Sequence, residues 1–448
     1  MKNTQFTAGV AVRDITPRKP LFLAGFPNVE RISTGTHDPL FASALYLSDG
    51  KTPLLLISVD ILFISRQSAG FCREAISGAT GIPVGHILVS ATHTHSGPIT
   101  GDELAWADDS TVPPPDAEYM KQFHEGIIEA GIAAHTATRP ARLAVTSAIA
   151  DGVGRNRIAP EGPFDPEVGL LAIRSESDNH LYALDVVYGM HPTVMHEDSK
   201  LVSSDFPHFA RRQLVEMFPG VAVVYHNGPC GNLSPRYDVK AQTFAEAERL
   251  GRRLGESVVK SLRALKDSDF RSDISLAVSG RKVELVPNVF LSVDEAEIRL
   301  REARSRYEQL KRDNAHHGPV RTAECVVFGS ENALALASAQ ASGEVARRQK
   351  EYGLAEAQVL RVGDLFLVGL PGEQFVEYAL EIKNRAPHRT FVISLANGEL
   401  QGYIVTPEAA ATGGYEAAWA LFRPESGARM VNAVLKMMKE EGSSQKPA

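Results

Sequence analysis

Residues 41–98 read FASALYLSDGKTPLLLISVDILFISRQSAGFCREAISGATGIPVGHILVSATHTHSGP, and their order decides the fold class. Phe41–Leu47 and Pro53–Ile64 are apolar runs separated by Ser48-Asp49-Gly50, and Asp-Gly between two such runs signals a hairpin. A helix is expected over Gln67–Ser77, ending at Gly78. The strand His86–Ala91 follows and runs directly into Thr92-His93-Thr94-His95-Ser96-Gly97-Pro98. Strand, helix and strand in succession point to an α/β chain.

The rest of the chain repeats this alternation. Gly101–Asp116, with three consecutive prolines, reads as a long irregular loop, and loops of that length often bind or cover a site. A helix over Ala117–His135 leads to a strand over Ala141–Ala148. A second hairpin, Val168–Ile173 with Leu181–Tyr188, delivers Gly189-Met190-His191-Pro192. Phe209–Phe218 is expected to be helical. Val221–Tyr225 is a strand opening into Asn227 and the turn-rich segment to Pro235, and Phe244–Leu265 is a long amphipathic helix. Val293–Arg312 and Glu331–Tyr352 are laced with Arg and Glu, as exposed helices are. Joined through His316-His317-Gly318-Pro319, they form an expected helical hairpin insertion around 293–352. Strands resume at Ala357–Val362, Leu365–Leu370 and Arg389–Leu395, with Pro371-Gly372-Glu373 opening a helix between the last two. A final helix runs through Lys439. No internal repeat is evident in the residues. The expectation is one α/β domain over 1–440, mixed β-sheets flanked by helices, with a disordered tail over 441–448.

Composition narrows the function. Apolar residues make up 44% of the 448 and charged residues 23%, which suits a soluble chain with a sizeable core. The formal net charge of -7 excludes the basic footprint that nucleic-acid binding requires. Cys72, Cys230 and Cys325 form no CxxC pair and read as reduced thiols of an intracellular protein. The first residues lack the apolar run of a signal peptide. The most apolar stretch, Leu54–Ser65, is interrupted by Asp60 and falls far short of the roughly 20 residues that span a bilayer. A cytoplasmic location without membrane contact is therefore expected.

Polar groups at five places lie just beyond apolar strands, where α/β sheets gather their sites. His93 and His95, two apart, share a face and can converge on a metal or a reacting group. His191, Ser234, Glu373 and Tyr403 occupy comparable places. Each also has a plain structural reading. Glu373 would suit a helix's first turn, Tyr403 a packed amphipathic ring, and Gly231–Pro235 a tight turn. An HxHxD metallo-β-lactamase pattern is excluded by Gly97, and the flanking hairpins are unlike a TIM-barrel amidohydrolase.

The motif Ala91-Thr-His-Thr-His-Ser-Gly-Pro98, together with Gly231-Asn-Leu-Ser-Pro235, resembles the neutral, non-lysosomal ceramidase family. Asp14-Ile-Thr-Pro17, Gly35-Thr-His-Asp-Pro39, Asn156-Arg157, Leu370-Pro-Gly-Glu373 and Gly402-Tyr-Ile-Val-Thr406 match in the same order. The resemblance implies a zinc-dependent amide hydrolase with His93, His191, Glu373 and Tyr403 as metal ligands. It further implies Ser234 as nucleophile or substrate-binding group, with His95, Arg157 and Tyr415 lining the site. The chain departs from the family at Ala417, where a Gly follows Tyr-Glu, and at Arg236, where an Asn follows Ser-Pro. The family's C-terminal immunoglobulin-like domain is not expected.

The implied activity is cleavage of an amide in a small N-acyl substrate by zinc-activated water. The bond class is carbon–nitrogen other than peptide. The alternatives are a true ceramidase acting on lipid, or an esterase, lactonase or carbohydrate-directed hydrolase using the same zinc site.

Overall fold

A computed structural model describes residues 5–26, 29–107, 109–315 and 317–443. One supersecondary unit recurs three times along it. In the first unit, β1 (Thr7–Asp14), β2 (Phe41–Ser48) and β3 (Pro53–Val59) are antiparallel neighbours. Helix α1 (Arg66–Thr80) then crosses over to β4 (Ile87–Ala91), which lies parallel to β3, and α2 (Ala117–Thr136) follows.

The second unit has the same pairing. Its antiparallel strands are β5 (Arg139–Ile149), β6 (Glu167–Ser175) and β7 (Leu181–Tyr188). Helix α3 (Phe206–Met217) crosses to the parallel β8 (Ala222–Asn227), and α4 (Phe244–Ala264) closes the unit.

The third unit begins with β9 (Leu276–Glu284), which is followed by an insertion of α5 (Val293–Arg312), α6 (His317–Ala341) and α7 (Glu344–Tyr352). It continues with β10 (Leu354–Val362), β11 (Leu365–Gly369), α8 (Val376–Arg385) and β12 (Arg389–Ile393). Again the first three strands are antiparallel and the last is parallel. Two short helices, α9 (Pro407–Thr412) and α10 (Tyr415–Ala418), precede α11 (Glu425–Ser443). The last helix passes beyond residue 440, and residues 444–448 lie outside the described part.

The first two units join edge to edge as one eight-stranded sheet in the order β8-β7-β6-β5-β1-β2-β3-β4. Only Thr7↔Pro140 and Ala8↔Arg139 pair across that seam. The third unit forms its own sheet, β9-β10-β11-β12. Leu54, Leu56 and Leu88 from the first unit, Leu171 and Val224 from the second, and Leu367 from the third share one buried core. The opposite faces are covered by helices, so strands β3, β4, β7 and β11 are buried on both faces. Helix α4 approaches α3 closely because Gly251 has no Cβ; one placed there would lie 2.4 Å from the Phe206 carbonyl oxygen.

The structure corrects three expectations. Pro371-Gly372-Glu373 does not open a helix. Glu373–Gln374 instead pairs in parallel with Tyr403–Ile404, and the helix begins at Val376. The second helix of the insertion begins at His317, not Glu331, and the chain breaks at Gly343 (φ +84°) before α7. Gly318-Pro319 reads as a break, but proline in a first helical turn forfeits no intrahelical bond. Of the expected joint, His316 lies outside the described residues. Finally, the threefold recurrence is invisible in the residues because it is a recurrence of hydrogen-bond topology.

An ion pair ties the first and third units together. Arg73 on α1 donates to both oxygens of Glu356 on β10, at 2.8 and 3.2 Å, and Lys282 adds a third bond. Burial alone would raise this carboxyl, but Arg73 and Lys282 outweigh it and hold it at about 2. A depressed carboxyl contributes stability above its unfolded value, and that stability is lost as pH falls through the folded one. Glu356→Gln should therefore cost roughly 2–3 kcal/mol at neutral pH. The deficit should shrink between about pH 4.5 and 2 in urea titrations of both proteins.

Candidate metal centre and cleft

Each unit sends a polar side chain from its strand ends to one point. After β4 the chain turns sharply: His93 N donates to the Ile61 carbonyl, and His93 itself holds φ +70°, a strained conformation for a residue with a Cβ. His191 follows β7 and Glu373 follows β11. Asn227, at the end of β8, stitches two of these segments. Its Oδ1 accepts from Met190 N at 3.1 Å and its Nδ2 donates to the Thr92 carbonyl at 3.2 Å. In sequence Asn227 reads only as the start of a turn.

His93 and His191 are fully buried. His93 Nδ1 donates to the Leu62 carbonyl and His191 Nδ1 to the Cys230 carbonyl, both at 2.7 Å. A carbonyl can only accept, so each Nδ1 carries the proton and each neutral ring presents the Nε2 lone pair. These Nε2 atoms face each other at 3.0 Å, and Glu373 Oε2 lies 3.2 and 3.3 Å from them. Three acceptors converging in a buried place repel one another unless a cation lies between them. Their separations fit the ~3.3 Å edges of a tetrahedron around an ion with ~2.0 Å bonds. Glu373 Oε2 is buried without a hydrogen-bond partner among the described residues, which is the orphan such an ion would satisfy. Burial and the nearby Arg157 lower His191 to about 3.

His95 joins the cluster. The ligand atoms of His93, His95 and His191 all lie within 4.8 Å of one another, a group able to hold a metal ion. His95 Nδ1 donates to the Gly25 carbonyl at 3.0 Å, leaving a buried Nε2 with no partner among the described residues. Burial, with His93 and His191 beside it, lowers its pKa well below the ordinary histidine value.

Tyr403 is in register with Glu373, so both side chains leave the same side of their short ribbon. Its phenol oxygen accepts from Arg157 Nη2 at 3.0 Å, and burial raises its pKa. Burial opposes the charge of Arg157, but Tyr403 and Glu416 restore it, the latter accepting from Arg157 Nε at 2.7 Å. Tyr415 packs edge-on to Tyr403, with ring centres 5.9 Å apart. Ser234 lies on a two-residue ribbon opposite Arg155, next to Arg157. Its Oγ accepts from Arg236 N at 3.3 Å, and no imidazole or carboxylate bonds it among the described residues.

These groups form the floor of a cavity of about 230 Å³. His95, Arg157, Ser234, Tyr403 and Tyr415 line it, and the rings of His93 and His191 lie 4.9 and 5.6 Å from that of His95. One wall is α6, contributing Arg321, Cys325, Val326 and Phe328. This revises the expectation of two merely exposed helices: α6 abuts Tyr415 so closely that a Cβ on Gly329 would lie 3.0 Å from its Cα. The apolar run Cys325–Phe328, just ahead of the expected helix start at Glu331, is the signal that could have shown it.

A second constellation has the look of catalysis without its access. Ser90 Oγ bonds His226 Nδ1 at 2.7 Å, and His226 Nε2 lies 3.2 Å from Asp185. All three are wholly excluded from solvent, so no substrate reaches them. They pin β4, β7 and β8 together.

Residues 6–218 match the family described as neutral/alkaline non-lysosomal ceramidase, N-terminal. The chain is 24% identical over 224 residues to neutral ceramidase A of Dictyostelium discoideum, a match spanning 45% of this chain and 31% of that one. Two solved structures share the fold of the whole chain. One is a ceramidase complexed with C2, with TM-score 0.75 and 17% identity, covering 99% of this chain and 77% of that one. The other is neutral ceramidase from Pseudomonas aeruginosa, with TM-score 0.75 and 17% identity, covering 100% and 76%. The mixed α/β architecture is thus the ceramidase fold. No helix among the described residues is long and apolar enough to cross a membrane.

Proposed function

We propose that this chain is a zinc-dependent amide hydrolase acting on a small N-acyl substrate, with the ion held by His93, His191, Glu373 and Tyr403. The convergence of two Nε2 lone pairs and an orphaned carboxylate oxygen within 3.3 Å carries this reading. A bound zinc ion would supply a Lewis acid for the carbonyl and lower the pKa of water. The protein's own groups do the rest. Arg157, fixed by Glu416 and Tyr403, and Tyr415 face the cleft where the carbonyl oxygen gains negative charge and stabilise it. Water adds to the carbonyl carbon, the carbon–nitrogen bond breaks, and the amine leaves with a proton. His95 lines the cleft with one nitrogen anchored to Gly25 and the other unpartnered among the described residues, which suits it to carry that proton.

Among the described residues no base bonds Ser234, so it serves as a hydrogen-bonding group for the substrate. Ser234→Ala should lose about 10-fold in kcat/KM, chiefly through KM. A loss beyond about 10⁴-fold in kcat would restore the nucleophile. The function itself is tested with a panel of N-acyl, ester and lactone substrates, with chelator and after zinc is restored. Loss and recovery on amides is the expected outcome; amide cleavage indifferent to chelator contradicts it.

A second reading, hydrolysis of ceramide itself, draws on the names of the relatives and on the exposed apolar rim of the cleft. Ile158 is 50% and Val326 42% exposed there. A ceramide in mixed micelles belongs in the same panel.

A further inference from the structure

The cleft contains three guanidinium groups, and two are neutralised. Arg157 is paired with Glu416, and Arg321 with Glu197 and Glu324, at 3.0 and 2.7 Å. Arg236 is different. It lines the same cavity, half-buried, two residues after Ser234. Among the described residues no carboxylate lies within 4.0 Å of it. Its Nη2 reaches only Cys325 Sγ, at 3.5 Å, and a thiol is a weak acceptor that needs no cation. His196 adds no further charge, since burial and then Arg321 lower its pKa to about 4. A partly desolvated guanidinium without a counter-ion is costly, and in a binding cleft its natural counter-ion is the ligand.

Resting on the hydrolase reading above, we infer that the substrate is an anionic N-acyl compound: an acyl chain joined through the amide to a small amine bearing a carboxylate, which Arg236 binds. Arg236 has no carboxylate of its own among the described residues, and its planar guanidinium matches a single ligand carboxylate with two parallel hydrogen bonds. The apolar side of the cleft, with Phe26, Ile158, Val326 and Phe328, suits the acyl chain. An amide with a neutral hydroxylated head would leave Arg236 unanswered, so the inference separates this chain's substrate from ceramide.

The test compares N-octanoylglycine with N-octanoylglycinamide, which differ in the carboxylate alone. Dissociation constants are measured by calorimetry, and kcat/KM in parallel, for the zinc-loaded wild type and Arg236→Gln. The wild type should bind the acid about 10–100-fold more tightly than the amide, the range for a charge-assisted contact. Arg236→Gln should bring the acid down to the amide. Equal affinities in the wild type, or no binding of either compound, would overturn the inference. So would a preference that survives in Arg236→Gln, which would place the carboxylate on another group. A carboxylate preference without turnover would overturn the hydrolase reading and leave Arg236's role standing. Equal turnover of both compounds would do the reverse.

Discussion

Glu373→Gln is expected to lower kcat/KM on an N-acyl substrate by at least about 10³-fold while leaving the protein folded. The carboxylate oxygen lies 3.2 Å from His93 Nε2 and 3.3 Å from His191 Nε2, buried and without another partner. Glutamine keeps the shape and removes the charge. Its NH₂ would donate to one imidazole lone pair, so the metal-free site becomes quieter, not strained. The metal site, however, loses its formal anion, and affinity for a divalent ion should fall by more than about 100-fold, the upper end of what even outer-sphere changes cost. Loss of the Lewis acid then removes several kcal/mol of transition-state stabilisation. Steady-state kinetics beside a far-ultraviolet circular dichroism spectrum checks this. Activity within tenfold of wild type would remove Glu373 from the centre.

Chelation should lower the melting temperature of the wild type by about 4–8 °C and leave that of Glu373→Gln nearly unchanged. The proposed ligands come from different units of the fold: His93 from the first, His191 from the second, Glu373 and Tyr403 from the third. An ion there adds a further link to the two-residue seam, the shared core and the polar contacts that already join these units. Ligand present at a thousand times its dissociation constant adds about 4 kcal/mol. For domains of 150–250 residues each kcal/mol moves the midpoint by about 2–4 °C, and a chain of 448 residues moves less. Differential scanning calorimetry before and after dialysis against chelator gives the shift. A midpoint indifferent to chelator would mean that the three units do not share an ion.

What was legible in the sequence was local. Asp49-Gly50 between apolar runs marks the β2–β3 hairpin because only a tight turn fits there, and the structure pairs Ser48 with Pro53 across it. His93 and His95 stood out because period-two spacing at a strand end puts two imidazoles on one side. Nothing local announces Arg157 beside Tyr403 and Glu416, which lie 246 and 259 residues away along the chain. Family resemblance pointed to Arg157 and Tyr403, while Glu416's part as anchor emerged from the fold. The threefold unit escaped notice for a related reason. Its first and second strands are separated by a loop after β1, another after β5 and three helices after β9. What repeats is strand pairing, which many apolar sequences satisfy. In the sequence Pro319 suggests a break, but it lies in the first turn of α6, whose later residues form the wall of the cleft.

The central claim is that His93, His191 and Glu373 surround a single metal ion, and elemental analysis of the purified protein tests it most directly. The wild type should carry close to one zinc per chain, and the His93→Ala/His191→Ala double variant, folded by circular dichroism, should carry none. A double variant that retains a full equivalent, or a wild type that hydrolyses its substrate at full rate with no metal bound, would contradict the account.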